Sequence, residues 1–143
     1  MAIAINLAAR AFSTNEVPVG AIVVLGNKVI GRGYNQSITK VDPTAHAEIL
    51  ALRQAARLVG NYRLTSATLY STLEPCAMCA GALVWARIRT LVYSAKDPKV
   101  GAIDSNINLL NLDGINHKVS VVSGILEEQS VDLLQQFFKL RRK

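Results

Sequence analysis

The sequence predicts a three-layer α/β/α domain, with helices on both faces of a five-stranded mixed sheet. Three observations predict it. Two β-prone runs, Ala21–Leu25 and Lys28–Tyr34, flank the hairpin dipeptide Gly26-Asn27. Beyond Tyr34, helical and strand patterns alternate to the C-terminus, as in sheets covered on both sides. The fourth and fifth strand patterns are separated by the long segment Ser94–Lys118. That length suits a crossover better than a hairpin, so strands four and five are expected to run parallel. With 143 residues and no internal repeat, low-complexity tract or linker, residues 1–143 read as one domain able to bury its own core.

Met1–Phe12 is the first helix, with Ile3, Leu7, Ala8, Ala11 and Phe12 as its apolar stripe and no capping residue before it. Asn15–Gly20 is a loop containing Pro18. Ala21–Leu25 has few polar interruptions, so it is expected to be a central, buried strand. Gly31 and Gly33 in the returning strand indicate a bend or a close backbone approach. After the polar loop Asn35–Pro43, Thr44 is the expected N-cap of a helix over Ala45–Val59, stopped by Gly60. Ile49, Leu50, Leu52, Ala56 and Val59 would form its buried face. Ala67–Leu73 is strand three. A helix opening around Pro75 follows, through Leu83, Val84 and Trp85, with Pro75 suited to a first turn. Trp85 is expected in the core or at a subunit interface. Thr90–Tyr93 is strand four. Asn106–Leu110 leaves room for a short helix, and Val119–Val122 is strand five. Glu127–Arg142 is the last helix, with Leu133, Leu134, Phe137 and Phe138 apolar and two glutamates at its positive end.

Composition narrows the function classes. Two cysteines do not make a secreted disulfide scaffold. The N-terminus lacks the plan of a secretion signal, and no apolar run reaches membrane-spanning length. A cytoplasmic location without membrane contact is the expectation. The net charge of +6 favours an anionic partner, with nucleic acid first. Hydrophobic residues make up 50% of the chain, enough to expect some apolar surface to be covered by a second copy.

The chemistry sits in two short stretches. Glu74-Pro75-Cys76-Ala77-Met78-Cys79 holds both cysteines, three apart, at a predicted helix start where the helix dipole favours thiolate. Alone, this pair suits either one metal ion or one redox couple. Thr44-Ala45-His46-Ala47-Glu48 opens the preceding helix in the same way. If both helix starts face one spot, His46, Cys76 and Cys79 supply one nitrogen and two sulfurs, a zinc ligand set. A structural site would need a fourth ligand, for which His117, Glu74 or an aspartate are the choices. Three protein ligands with one open position are the catalytic pattern, with Glu48 as the base beside it. HxE followed by PCxxC is the signature of zinc nucleobase deaminases. A dithiol redox pair, a structural zinc and a zinc-stabilised RNA-binding module without catalysis are the competing readings.

The resemblance goes further. Asn15–Ala21 (NEVPVGA), Asp42–Glu48 (DPTAHAE), Asn61–Leu64 (NYRL), Thr72–Ala82 (TLEPCAMCAGA) and Phe137–Arg142 (FFKLRR) resemble the bacterial tRNA-specific adenosine deaminases of the cytidine-deaminase-like superfamily. The likeness runs from about Ala8 to Lys143. It implies a cytidine-deaminase-like fold and hydrolytic conversion of the wobble adenosine of a tRNA anticodon, chiefly of an arginine tRNA, to inosine. It implies one zinc per subunit held by His46, Cys76 and Cys79, a zinc-activated water, and Glu48 as proton shuttle. It also implies a homodimer. Asn35 matches the asparagine that contacts the target nucleoside. Val17, Ala47, Leu73 and Glu74 match the pocket walls, and Asp97 and Lys99 match a loop beside the neighbouring nucleotides. Phe138, Arg141, Arg142 and Lys143 are the expected stacking and phosphate contacts, although helical spacing suits Phe137 or Phe138 equally to the core. Family members usually carry further residues before the position of Met1 and a longer basic tail. A deaminase of a free base or nucleoside, of guanine or cytosine type, shares every zinc residue and is the alternative.

Overall fold

The computed structural model describes residues 1–142. Lys143, an expected phosphate contact, lies outside the described residues. The elements are α1 (Ala2–Ser13), β1 (Gly20–Leu25), β2 (Lys28–Tyr34), α2 (Ala47–Val59), β3 (Thr68–Leu73), α3 (Ala77–Trp85), β4 (Thr90–Ala95), β5 (Ser120–Ser123) and α4 (Glu127–Arg141). The sheet order is β2-β1-β3-β4-β5. β1 pairs antiparallel with both β2 and β3, whereas β3, β4 and β5 are parallel. The predicted mixed sheet and the parallel β4–β5 pair are therefore present. α2 packs on β1, β2 and β3 and touches α3, and α1 and α4 pack on one another and on the sheet. Alternate residues of β1 point to opposite faces. Ala21 and Val23 join the core under α2 and α3 with Leu52, Leu69, Leu83, Leu91 and Tyr93.

Two helices bury their expected faces only in part: Leu52 of α2 and Ala8 and Ala11 of α1 are buried as expected, but the remaining buried positions are not the large apolar residues. On α2 the buried positions are Ala47, Glu48, Ala51, Leu52 and Ala55, while Val59 is exposed. On α1 they are Ala4, Ala8 and Ala11, while Ile3 is exposed. The cause lies in β2 and β1. A Cβ at Gly31 would sit 2.2 Å from the Ala51 carbonyl oxygen, and one at Gly33 would sit 2.3 Å from that of Ala47. The helix lies so close to the strand that only alanine fits between them. Gly20 of β1 does the same under Ala4. The glycines of β2 thus mark close approach. A register shift next to Gly31, where Val23 faces Gly31 and Val24 faces Val29, adds the bend.

Three boundaries and one buried position differ from expectation. α2 begins at Ala47, with His46 as N-cap in extended conformation. Thr44 instead turns its amide and hydroxyl to Asp42 Oδ1, closing the turn before the helix. Pro75 stands outside α3, whose N-cap is Cys76. The short helix after β4 is a single 3-10 turn at Leu109–Asn111. Trp85 is no core residue: it is 74% exposed at the end of α3. Gly60 stops α2 as expected, with φ 75°.

Candidate active site

Both donor stretches sit at helix starts on the same side of the sheet. β2 and β3 end nearby, and the chain turns from each toward a helix whose N-cap is a donor, His46 for α2 and Cys76 for α3. Cys79 follows in the first turn of α3 and is fully buried. The donor atoms of His46, Cys76 and Cys79 all lie within 4.8 Å of one another. His46 Nδ1 is 3.6 Å from each sulfur. Tetrahedral zinc, with Zn–N near ~2.0 Å and Zn–S near ~2.3 Å, would set nitrogen and sulfur about 3.6 Å apart. The donor set therefore fits zinc in chemistry and in spacing. His117, a possible fourth ligand, is engaged elsewhere, with Nε2 bonded to the Ile88 carbonyl.

Electrostatics favour cation binding. The Cys76 thiol is brought down to about 4 by its hydrogen bond with Cys79, assisted by His46 and opposed by burial. That same hydrogen bond, together with burial and the nearby Glu48, pushes the Cys79 thiol up. Its bond with Cys76 raises the His46 imidazole despite burial. A metal ion would replace the protons shared among these three groups. Glu48 is 4% exposed. Burial raises its carboxyl above the ordinary value, and Cys79 and His46 pull it back. A carboxyl held above its ordinary value by burial is suited to accept a proton and pass it on.

His46, Glu48 and Cys76 line a cavity of about 200 Å³ together with Val17, Val19, Asn35, Leu73, Glu74, Asp97 and Val100. Asn35 Oδ1 accepts the Ala47 N–H at 2.8 Å, so its amide NH₂ is the polar group left for a ligand. Ala47 has no exposed surface and contributes to the site through that amide rather than as a wall. The inner cavity adjoins a groove of about 550 Å³ lined by Val17, Leu73, Lys96, Asp97, Pro98, Lys99, Val100, Leu134, Phe138, Arg141 and Arg142. Val17, Leu73, Asp97 and Val100 border both.

The groove settles the two phenylalanines. Phe137 is buried, edge-on to Phe12 with centroids 5.8 Å apart, while Phe138 is 44% exposed in the groove. Arg141 donates to the Asn15 carbonyl and lies 4.6 Å above the Phe137 ring, so part of its capacity is spent within the chain. Asp97 Oδ1 accepts the amides of Lys99 and Val100, shaping its own loop. Glu74 borders the inner cavity, but its carboxylate is bonded to the 97–105 loop and is not a free contact group. Val19, Val100, Lys96, Pro98 and Leu134 were not foreseen. Leu134 carried a signal, the apolar stripe of α4, but that stripe reads equally as core.

Comparison with known proteins fixes the class first: residues 1–142 match the MafB19-like deaminase family, so the chain is a deaminase. Closer relatives narrow it. The tRNA-specific adenosine deaminase of Haemophilus influenzae is 48% identical over 144 aligned positions, covering 100% of this chain and 83% of that protein. The one from Bacillus subtilis is 44% identical, covering 98% of this chain and 87% of that protein. A solved structure from a study of A-to-I editing by tRNA:A34 deaminases at the wobble position of transfer RNA superposes with a TM-score of 0.92. It is 44% identical, covering 94% of this chain and 97% of that one. The chain belongs to the family of tRNA-specific adenosine deaminases.

Proposed function

We infer that this protein hydrolyses the 6-amino group of the wobble adenosine of a tRNA anticodon, leaving inosine and ammonia, and that an arginine tRNA is its chief substrate. One observation carries the reading: a cavity lined by two members of a zinc-fitting donor triad and by a buried carboxyl adjoins a cationic, apolar groove. The cavity suits one extruded base. The groove suits its neighbours, with Phe138 as a stacking surface and Lys96, Lys99, Arg141 and Arg142 near phosphates. An unpaired anticodon loop makes extrusion of the base inexpensive.

His46, Cys76 and Cys79 would hold one zinc per subunit. Bound zinc would act as a Lewis acid toward a water at the open position. Glu48 would take one proton from the attacking water and pass it to N1 of the base, then take the proton of the hydroxyl now on C6 and pass it to the departing amine, so that both water protons are used. Its raised pKa suits a group that must hold a proton between these two acts. The Asn35 amide donates to an acceptor on the base. Val17 and Leu73 exclude water around it.

A homodimer would cover the other face of α2 and α3. There Ile49, Leu52, Arg53, Ala56, Tyr62, Leu64, Ala82, Trp85 and Ala86 line a shallow apolar groove, with Tyr62 60% and Trp85 74% exposed. No helix among the described residues is long and apolar enough to cross a membrane. The cytoplasm, where tRNA resides, is the proposed location.

The decisive assay follows ammonia release and inosine formation on an arginine-tRNA anticodon stem-loop, with free adenosine, cytidine and guanine as competitors. Conversion of the stem-loop is the expected result. Turnover of only the free compounds would establish the free-base alternative instead.

A further inference from the structure

Glu74 precedes Pro75 and the donor Cys76, yet its carboxylate is used entirely by a loop remote in sequence. Oε1 accepts the Asp97 N–H at 3.1 Å and the Ser105 hydroxyl at 2.5 Å. Oε2 accepts the N–H groups of Ile103, Asp104 and Ser105 at 3.0, 2.9 and 3.0 Å. A carboxylate has about four lone-pair sites. Five donors saturate it, so it has no acceptor left for a substrate. The side chain is 2% exposed. Gly101 makes room for it, because a Cβ there would lie 2.4 Å from Glu74 Cδ. The backbone repeats the connection: Ala102 N–H donates to the Pro75 carbonyl, and Glu74 N–H to that of Ala95.

The loop held in this way carries Lys96–Val100, one wall of the outer groove, and Asp97 and Val100 also border the inner cavity. The clamp therefore runs from the turn that places Cys76 to the wall that faces bases beside the target. We propose that Glu74 is a positioning residue that sets the 97–105 loop against the metal-donor turn, so that the enzyme's affinity for RNA around the target base depends on its carboxylate. The proposal rests on the reading of the groove as the seat of the anticodon loop. A glutamine cannot replace the carboxylate, because its NH₂ would face backbone N–H groups and leave them unpaired.

The test compares wild type with Glu74→Gln and Ser105→Ala on the anticodon stem-loop. It reads kcat, KM, stem-loop Kd, zinc per chain and amide exchange. Glu74→Gln is expected to raise KM and Kd about tenfold, with kcat changed less than threefold and zinc retained. The amides of Asp97, Ile103, Asp104 and Ser105 should exchange faster. Ser105→Ala, which removes one donor of five, should move the same quantities two- to threefold in the same direction. Faster exchange with KM and Kd unchanged would overturn the proposal, leaving a clamp that matters only to folding. Loss of zinc together with kcat would overturn it too, placing the effect on the metal turn. A wild-type chain that binds the stem-loop without deaminating it would refute the proposed function but not the clamp. Glu74→Gln must then still shift Kd and exchange.

Discussion

The inner cavity and the outer groove share four residues but are built by different means. The inner site is made by helix starts: His46 and Cys76 are N-caps, and Glu48 and Cys79 lie in the first turns that follow. Cys79 and Glu48 are buried, and local backbone geometry fixes all four groups. The groove is assembled from the 96–100 loop, the segment around Val17 and the last turns of α4. Its side chains are largely exposed, and its walls are tied by bonds that reach far along the chain, from Glu74 to the 97–105 loop and from Arg141 to Asn15. Chemistry thus rests on short motifs, while grip on a polymer rests on long-range assembly. Damage to the two regions should show in different observables.

The largest effects belong to the inner site. Cys76→Ser or His46→Ala leaves two of three donors and should abolish both zinc retention and ammonia release, read by metal analysis of the purified protein. Full zinc content in either variant would refute the donor set. Glu48→Ala should keep zinc and stem-loop affinity while lowering kcat by about 10³-fold, within the range for loss of a general acid–base group. A loss shared equally between kcat and stem-loop Kd would erase the proposed division between the two regions.

Legibility in the sequence divides along the same line. That His46, Cys76 and Cys79 come together, with Glu48 in the first turn of α2, was readable because ligand chemistry needs specific residue types at spacings set by a helix start. The mixed sheet and the parallel β4–β5 pair followed from strand patterns and one long connection. The buried faces of α1 and α2 were read only in part: Ala8, Ala11 and Leu52 are buried as expected, but Ala4, Ala47, Ala51 and Ala55 were passed over because large apolar residues were weighted above alanines. Close packing over Gly20, Gly31 and Gly33 selects the smallest side chain, and no single-helix pattern contains that information. Thr44 was misread as a cap because Asp42 competes for it, and both signals are ordinary at a helix start. The groove was legible only in pieces, Asp97 and Lys99 through resemblance and Phe138, Arg141 and Arg142 through their chemistry, since its walls meet through tertiary contacts. Glu74 was placed at the pocket, but its five-donor clamp depends on residues 23 to 31 positions away.

In the groove, effects should be smaller and confined to binding. Phe138→Ala should raise stem-loop KM about tenfold, the loss of one base–aromatic stack, and leave kcat unaltered. Arg142→Ala should raise KM about threefold. It should also reduce the slope of log affinity against log salt by about 0.7, the contribution of one phosphate contact on a single strand. Arg141→Ala should weaken RNA binding less than Arg142→Ala if the bond to Asn15 and the Phe137 stack hold Arg141 to the chain. A larger loss at Arg141, measured by titration at several salt concentrations, would move the phosphate contact to that residue.

The smallest expected effect separates two buried carboxyls by sign: Glu48 in the inner site and Glu16, beside Val17 of the groove. Burial raises the Glu48 carboxyl. Burial also works to raise Glu16, but the Thr39 hydroxyl and the Thr39 and Ile38 amides hold it below its ordinary value of 4.5, with Arg141 adding attraction. Glu16 thereby fastens the 38–39 loop, which follows Asn35. A depressed carboxyl stabilises the fold above its unfolded value, and that contribution fades as pH falls through the lower folded value. Glu16→Gln should therefore lower Tm at pH 7, and the gap to wild type should close as pH drops below 4.5. Thermal scans across that range check it. A gap that widens toward acid would mean that the Glu16 carboxyl is raised, as that of Glu48 is, and would remove the difference in sign between them.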